Sequence, residues 1–425
     1  MGVQQSPNPL RVRRIGYKAP WVLLTFLYIL WRYLPEPPGT VNDTHADKPA
    51  PEYDVTSTPR FRYQSRFRED PDYEFETTID EVLRWIEDQA RMSPPEYDAE
   101  KTIWQISLDP SGHVRERGAD SLAFERVNEG WEYNIISSTT AQSFLENTFS
   151  DIPSLLTTYT SYPRDVLRAD LLRYLLLWYH GGFYADLDVY PARSIKACPA
   201  TEPLFHHNHH HHHQHKHQPQ PQNISLILGI EIDEPYASPA LMRKWHWSRS
   251  YGFIQYTMYA PRRFSPILRR AIVRVLEHTK QHVENSWGVF GTGYSEEDIL
   301  EISGPGAFTD AVLDVLGEGL PRGHELVRVS RAEEDGGFAD SGVRVDDWGV
   351  WNEVSWAPFH RLGEPLWVDA SKVEGDMGGL GVLPVTVWGN GQRHSGAGHF
   401  WDAQACVNHR FGRTWKKGWW EFLFG

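Results

Sequence analysis

At 425 residues the chain is long enough to bury a sizeable core, in one large domain or two smaller ones. A formal net charge of −14, with no basic stripe in the body, argues against nucleic acid as a partner. Eighteen Trp suit either core filling or contact with sugar rings, and the only cysteines, Cys198 and Cys406, can pair in an oxidising lumen but decide nothing about compartment.

The N-terminus carries Arg11, Arg13, Arg14 and Lys18 ahead of the apolar run Trp21 to Trp31, followed by Arg32, Tyr33 and Leu34. This run is short against the ~20 residues a spanning helix needs, and snorkelling by Lys18 and Arg32 stretches it to about 16. A cleaved signal peptide and an interfacial anchor are the rival readings. The absence of a small-x-small site before Pro35-Glu-Pro-Pro38 favours a signal anchor. Residues 1–18 then read as a basic cytosolic tail and 19–34 as the anchor of a single-pass type II protein with a lumenal body. A short anchor suits early secretory membranes. Asn42-Asp-Thr44 and Asn223-Ile-Ser225 are glycosylation sequons usable on that side, and residues 35–78, rich in Pro and charge, read as a stem.

The body, residues 79–425, opens with an amphipathic helix at Ile79 to Met92. Strands follow at Ile103 to Leu108 and Trp131 to Ser137, then a helix at Ala141 to Phe149 and a long one at Arg164 to Tyr179. Further strands are expected at Ser225 to Ile232 and Ile254 to Tyr259, with helices at Pro266 to Gln281 and Pro305 to Leu316. The Trp-rich segment Val382 to Gly425 reads as strands and loops folding back over a site. Strands alternating with helices predict an α/β fold with a mixed, mostly parallel sheet, whose ligand sits off the carboxyl ends of the strands. Residues 206–222 form a His- and Gln-rich tract that reads as a solvated surface loop, not a catalytic metal site.

The densest chemistry lies in Arg168 to Pro191, RADLLRYLLLWYHGGFYADLDVYP. Asp170 and Arg173 share one face of a helix that is apolar nearly all round, hence buried, where charges need partners. Gly181-Gly182 break that helix, and a short strand ends in Asp186-Leu-Asp188. In an extended segment both carboxylates point to one face, with Leu187 opposite, an arrangement that suits a hard divalent cation holding phosphate oxygens.

Asp170, Arg173, Gly181-Gly182, Tyr184, Asp186 and Asp188, in that order, resemble the signature of glycosyltransferase family 32, which includes fungal initiation-specific α-1,6-mannosyltransferases. Related GT-A-type sugar transferases, among them the large clostridial glucosylating toxins, show a similar Asp-x-x-Arg then DxD pattern. Lys101 to Ile106 is similar to the family's first strand, with Trp104 where its histidine stands. Leu228 to Ile232 and Ser303 to Thr309 resemble later blocks, and Val407 to Trp415 resembles the family's ending, with Thr414 in place of a serine. The resemblance implies a GT-A-type Rossmann-like fold and retaining transfer of mannose from GDP-mannose to a glycan or glycoprotein, with Mn²⁺ bridging the diphosphate, in the Golgi membrane. It implies that Asp188 binds the metal directly, that Asp186 serves metal and donor, and that His409 is a third metal or diphosphate contact. Asp170, Arg173, Tyr184, Trp104, Thr414 and Trp415 fall to donor binding. No residue stands out as a covalent nucleophile, so retention implies front-face attack. Glu231 reads as a strand-end polar residue or an electrostatic helper. The rival functions are transfer from UDP-galactose, transfer to inositol phosphorylceramide, and a non-catalytic role in a mannan-building complex.

Overall fold

Among the described residues, twelve strands form: β1 (Thr102–Ser107), β2 (Glu132–Ser137), β3 (Gly182–Ala185), β4 (Val189–Pro191), β5 (Ile224–Asp233), β6 (Tyr251–Phe253), β7 (Thr257–Ala260), β8 (Val343–Asp346), β9 (Gly349–Asn352), β10 (Leu366–Val368), β11 (Gly379–Leu383) and β12 (Val407–His409). They come from a computed structural model that describes residues 65–108, 118–205, 223–286, 292–333, 343–346, 349–352, 354–369 and 377–410. The central sheet has the order β10-β11-β5-β7-β3-β1-β2, with β6 added on β5. By their pairings β1, β2, β3, β5 and β11 run one way, and β6, β7 and β10 run the other. The sheet is therefore mixed and mostly parallel, and helices flank it. The basic tail, the anchor at 19–34, the His-rich tract, Thr414 and Trp415 lie outside the described residues. Among the described residues no helix is long and apolar enough to cross a membrane.

The buried helix expected before the DxD motif spans Asp165–His180, and eleven of its residues are buried, Asp170 and Arg173 among them. It packs with the 266–284 helix, itself buried over most of its length. The helix stops at Gly181 for a steric reason. Gly181 and Gly182 have φ of 72° and 106°, where L side chains are strained. A Cβ on Gly181 would also lie 2.5 Å from the Ala99 Cβ, and one on Gly182 would lie 2.6 Å from Trp104 Nε1. Both glycines let the chain reverse from helix into β3 against β1.

Three expectations change. The first helix begins at Tyr73, capped by the Asp72 side chain on the Phe75 N–H. Phe67 and Arg68 are already buried, so the folded body includes residues 65–78, which the composition had grouped with the stem. Of the strand expected at Ile254 to Tyr259 only β7 (Thr257–Ala260) forms; residues 254–256 separate it from β6, which ends at Phe253, and both strands are antiparallel to β5. Polar partners cause the break: Arg173 Nη1 donates to the Gln255 carbonyl at 3.3 Å, and the Tyr174 hydroxyl donates to its side chain at 2.6 Å. Finally, Asp186-Leu-Asp188 is a tight turn between β3 and β4, closed by Val189 N–H to Asp186 O at 3.1 Å, and not an extended segment.

Cys198 and Cys406 are bonded to each other, 208 positions apart. The bond ties the loop after β4 to the residue before β12, and β12 pairs antiparallel with β4.

Candidate active site

The DxD turn sits at the carboxyl end of β3, where a mostly parallel sheet presents its ligand site. Its backbone is anchored on two sides: Asp186 N–H donates to Tyr256 O at 2.9 Å, and Gln105 Nε2 donates to Asp186 O at 3.0 Å. Gln105 is in turn held by the Tyr133 hydroxyl. Gln105 is the one amide in the apolar strand TIWQIS, and that was the available signal for its role.

Behind the turn runs a buried polar chain. Ser303 Oγ donates to Asp170 Oδ2 at 2.8 Å, and Asp170 Oδ1 pairs with Arg173 Nη2 at 2.8 Å. The same nitrogen reaches Asp186 Oδ1 at 3.4 Å, and the Tyr184 hydroxyl donates to that oxygen at 2.6 Å. The Arg173 guanidinium also lies over the Tyr184 ring. Burial pushes Asp170 up to about 7, opposed by Arg173 and the Ser303 hydroxyl. Burial works against the Arg173 charge, but Asp186, Tyr184 and Asp170 outweigh it and hold the guanidinium charged. Asp170 and Arg173 are 1% and 4% exposed. Asp170 faces Arg173 and Ser303, and Arg173 also reaches Asp186 and the Gln255 carbonyl, so the pair sets the Asp186 carboxylate in place from behind. Tyr184, 1% exposed, does the same.

Trp104 departs further from its expected role. It is buried in β1, and its indole N–H donates to Gly181 O at 2.7 Å. Its ring packs on Tyr97 and His180. It braces the helix-to-strand turn, and its single N–H is spent there.

In front of the turn, His409 Nε2 stands 3.2 Å from Asp188 Oδ1, and its ring stacks on Tyr256 at 4.2 Å. Burial raises the Asp186 carboxyl, with Asp188 adding to the rise and His409 reducing it. Burial also lifts Glu231, at the end of β5, to about 7, and its charge is felt by His409 and Asp186. Glu231 stands near the carboxyl end of β5, which runs in the same direction as β3, and so lies at the same edge of the sheet as the DxD turn. The sequence signal was only its position at a strand end. Among the described residues no group of three or more His, Cys, Asp or Glu side chains already stands as a metal cage. The donor chemistry nonetheless fits a hard divalent cation: two carboxylates whose side chains are 29% and 23% exposed, and an imidazole. A separate cleft of about 790 Å³, lined by Tyr97, Asn223, Arg262 and Arg263, opens where β1 and β5 begin, away from these carboxylates.

The comparisons with known proteins point the same way. Residues 62–207 match the family described as glycosyltransferase sugar-binding region containing DXD motif. The initiation-specific alpha-1,6-mannosyltransferase of Schizosaccharomyces pombe is 26% identical over 76% of this chain and 65% of its own length. Its Candida albicans counterpart is 22% identical over 74% of this chain and 72% of its own. Inositol phosphoceramide mannosyltransferase 3 of S. pombe is 41% identical, but over only 24% of this chain and 26% of its own. The solved PaToxG Glycosyltransferase has a TM-score of 0.31 and 16% identity over 56% of this chain and 78% of that one, too distant a likeness to bear on the fold.

Proposed function

We propose that this glycosyltransferase, whose residues 62–207 match the DXD-containing sugar-binding region, is a retaining mannosyltransferase that moves mannose from GDP-mannose onto a glycan or glycoprotein. The observation that carries this reading is the convergence of Asp186, Asp188 and His409 at the carboxyl end of β3, backed by the buried Asp170–Arg173 pair. Asp188, Asp186 and His409 are the residues that would hold Mn²⁺, and a bound ion there would carry the charge that grows on the departing diphosphate.

The chain's own residues divide the remaining work. Arg173 and the Tyr184 hydroxyl fix the Asp186 carboxylate from behind, so that its orientation is set before substrate arrives. Asp170 keeps Arg173 aimed, and Ser303 keeps Asp170 aimed. Tyr256 supports His409 by stacking and the Asp186 N–H by its carbonyl. Glu231 borders the same space and can orient an acceptor hydroxyl. In a front-face transfer the departing phosphate oxygen accepts the proton from that hydroxyl, so no enzyme nucleophile is required. The relatives with the widest coverage are named for an α-1,6 linkage, which supports that linkage here; the apolar run at 19–34 supports a membrane-anchored, Golgi-lumenal body in which a mannan-building complex would use it.

Asp188→Ala tests the reading directly. Release of GDP from GDP-mannose with Mn²⁺ is expected in the parent protein and lost in the variant, with the circular dichroism spectrum unchanged. Normal turnover by the variant would overturn the site. The short match to inositol phosphoceramide mannosyltransferase 3 favours one second reading, a lipid acceptor. Presenting inositol phosphorylceramide beside a mannooligosaccharide decides between them.

A further inference from the structure

The loop 390–402 is stapled between the two strands that bring Glu231 and His409 to the site. On the β5 side, Gln392 Nε2 donates to the Glu231 carbonyl, Asp233 N–H donates to Ser395 Oγ at 2.8 Å, and Ser395 N–H donates to the Glu234 carboxylate. On the β12 side, Asn390 bridges to Asn408, and Asn408 Nδ2 donates to Phe400 O at 2.9 Å. Positive φ at Gly391, Ser395 and Gly396 lets the loop turn tightly enough to span both.

This loop carries flat aromatic surface. Trp401 is 80% exposed and lies parallel to the His399 ring, with 5.3 Å between centroids. His394 meets the edges of Trp245 and Trp247, which stack on each other at 5.8 Å and are both half-buried. Burial holds His394 down to about 4, so this cluster is uncharged at neutral pH. A tryptophan left that open to water does not stabilise the fold by burial, and a flat, neutral, amphipathic ring face is suited to the C–H face of a pyranose.

We propose that Trp245, Trp247 and Trp401, set around the 390–402 loop, form the platform on which sugar rings of the acceptor glycan rest while its reacting hydroxyl lies near Glu231. The inference rests on the transferase reading above and adds the residues that choose the acceptor. Its occupant is a glycan because the loop that carries these rings is fastened to β5 at Glu231 and to β12 at Asn408, next to His409, so the ring faces lie on the strands that border the catalytic turn.

The full chain is titrated with a soluble mannooligosaccharide, followed by tryptophan fluorescence and calorimetry. The parent protein is expected to bind. Trp247→Ala and Trp401→Ala are each expected to weaken binding roughly five- to tenfold, as the loss of one aromatic face implies. Trp247→Phe should recover most of the affinity, and Trp85→Ala, 50% exposed on the first helix, should change nothing. Trp401 has so little buried area that its variant separates a lost contact from a lost fold. Equal affinity in all variants, or no binding by the parent, overturns the platform. GDP release without acceptor is read in the same proteins: release with unaltered glycan affinity sinks the platform alone. Tryptophan-dependent glycan binding without release from any nucleotide sugar supports the platform and sinks the transferase reading.

Discussion

Tyr184→Phe isolates the buried chain behind the DxD turn. The substitution keeps the ring under the Arg173 guanidinium and removes only the hydroxyl that donates to Asp186 Oδ1 at 2.6 Å. A hydrogen bond to a charged acceptor contributes about 1.5–3 kcal/mol. The lower half applies here, because Arg173 still reaches the same oxygen at 3.4 Å and the Asp186 side chain is 29% exposed, so water can replace part of the loss. If about 1.5–2 kcal/mol is lost from the transition state, kcat/KM falls roughly ten- to thirtyfold, at about 1.4 kcal/mol per factor of ten. The assay is GDP release from GDP-mannose at a series of Mn²⁺ concentrations, with thermal unfolding alongside. A variant whose only fault were packing would lose Tm and keep its Mn²⁺ dependence. The expected variant does the reverse: it needs more Mn²⁺ for half-maximal rate and unfolds within a few degrees of the parent. Parent-level kcat/KM and parent-level Mn²⁺ dependence in Tyr184→Phe would refute a positioning role for this hydroxyl.

Arg173→Met should be far more damaging, because it strands Asp170 without its counter-ion at 1% exposure; a loss of about 3–5 kcal/mol is expected in urea unfolding. His180, 7% exposed against Trp104, Phe144 and Tyr179, is held down to about 3 by burial. Its folded pKa lies below the unfolded one, so its contribution is fully present above about 6.5 and drains away as pH falls toward 3. Between pH 7 and 5 the parent should lose about 2 kcal/mol through this group, and His180→Phe should flatten that part of the urea-midpoint profile. Replacing both Cys198 and Cys406 by Ser opens a closure spanning 208 positions, which the chain-entropy relation puts at about 5 kcal/mol. Activity should fall with it, since Cys406 immediately precedes the strand that carries His409; a double variant with parent stability and rate would show that β12 needs no covalent tie.

Local pattern carried much of this molecule. The run from Asp165 to His180 is apolar nearly all round, which forces burial wherever the helix ends up, and the double glycine after it has only one conformational use. The same periodicity located β1, β2 and β5 and the helices beginning at Pro266 and Pro305 to within a few residues. The Asp170, Arg173, Asp186 and Asp188 set was readable because two charges in such a helix demand partners, and the partners lie close in sequence. The short helices Ala119–Val127 and Pro153–Ser161, with weak amphipathic pattern, escaped that reading.

Strand order decided the rest, because it brings together residues that no window of sequence contains. His409 reaches Asp188 across 221 positions only because β12 pairs with β4, and Glu231 joins the site because β5 runs in the same direction as β3. The gap at 254–256 between β6 and β7 depends on Arg173 and Tyr174 reaching Gln255 from another element. Trp104 looked like a donor contact until the Gly181 carbonyl claimed its only donor. A side chain's type and period report whether it will be buried; what it does there is set by the partner the fold delivers to it.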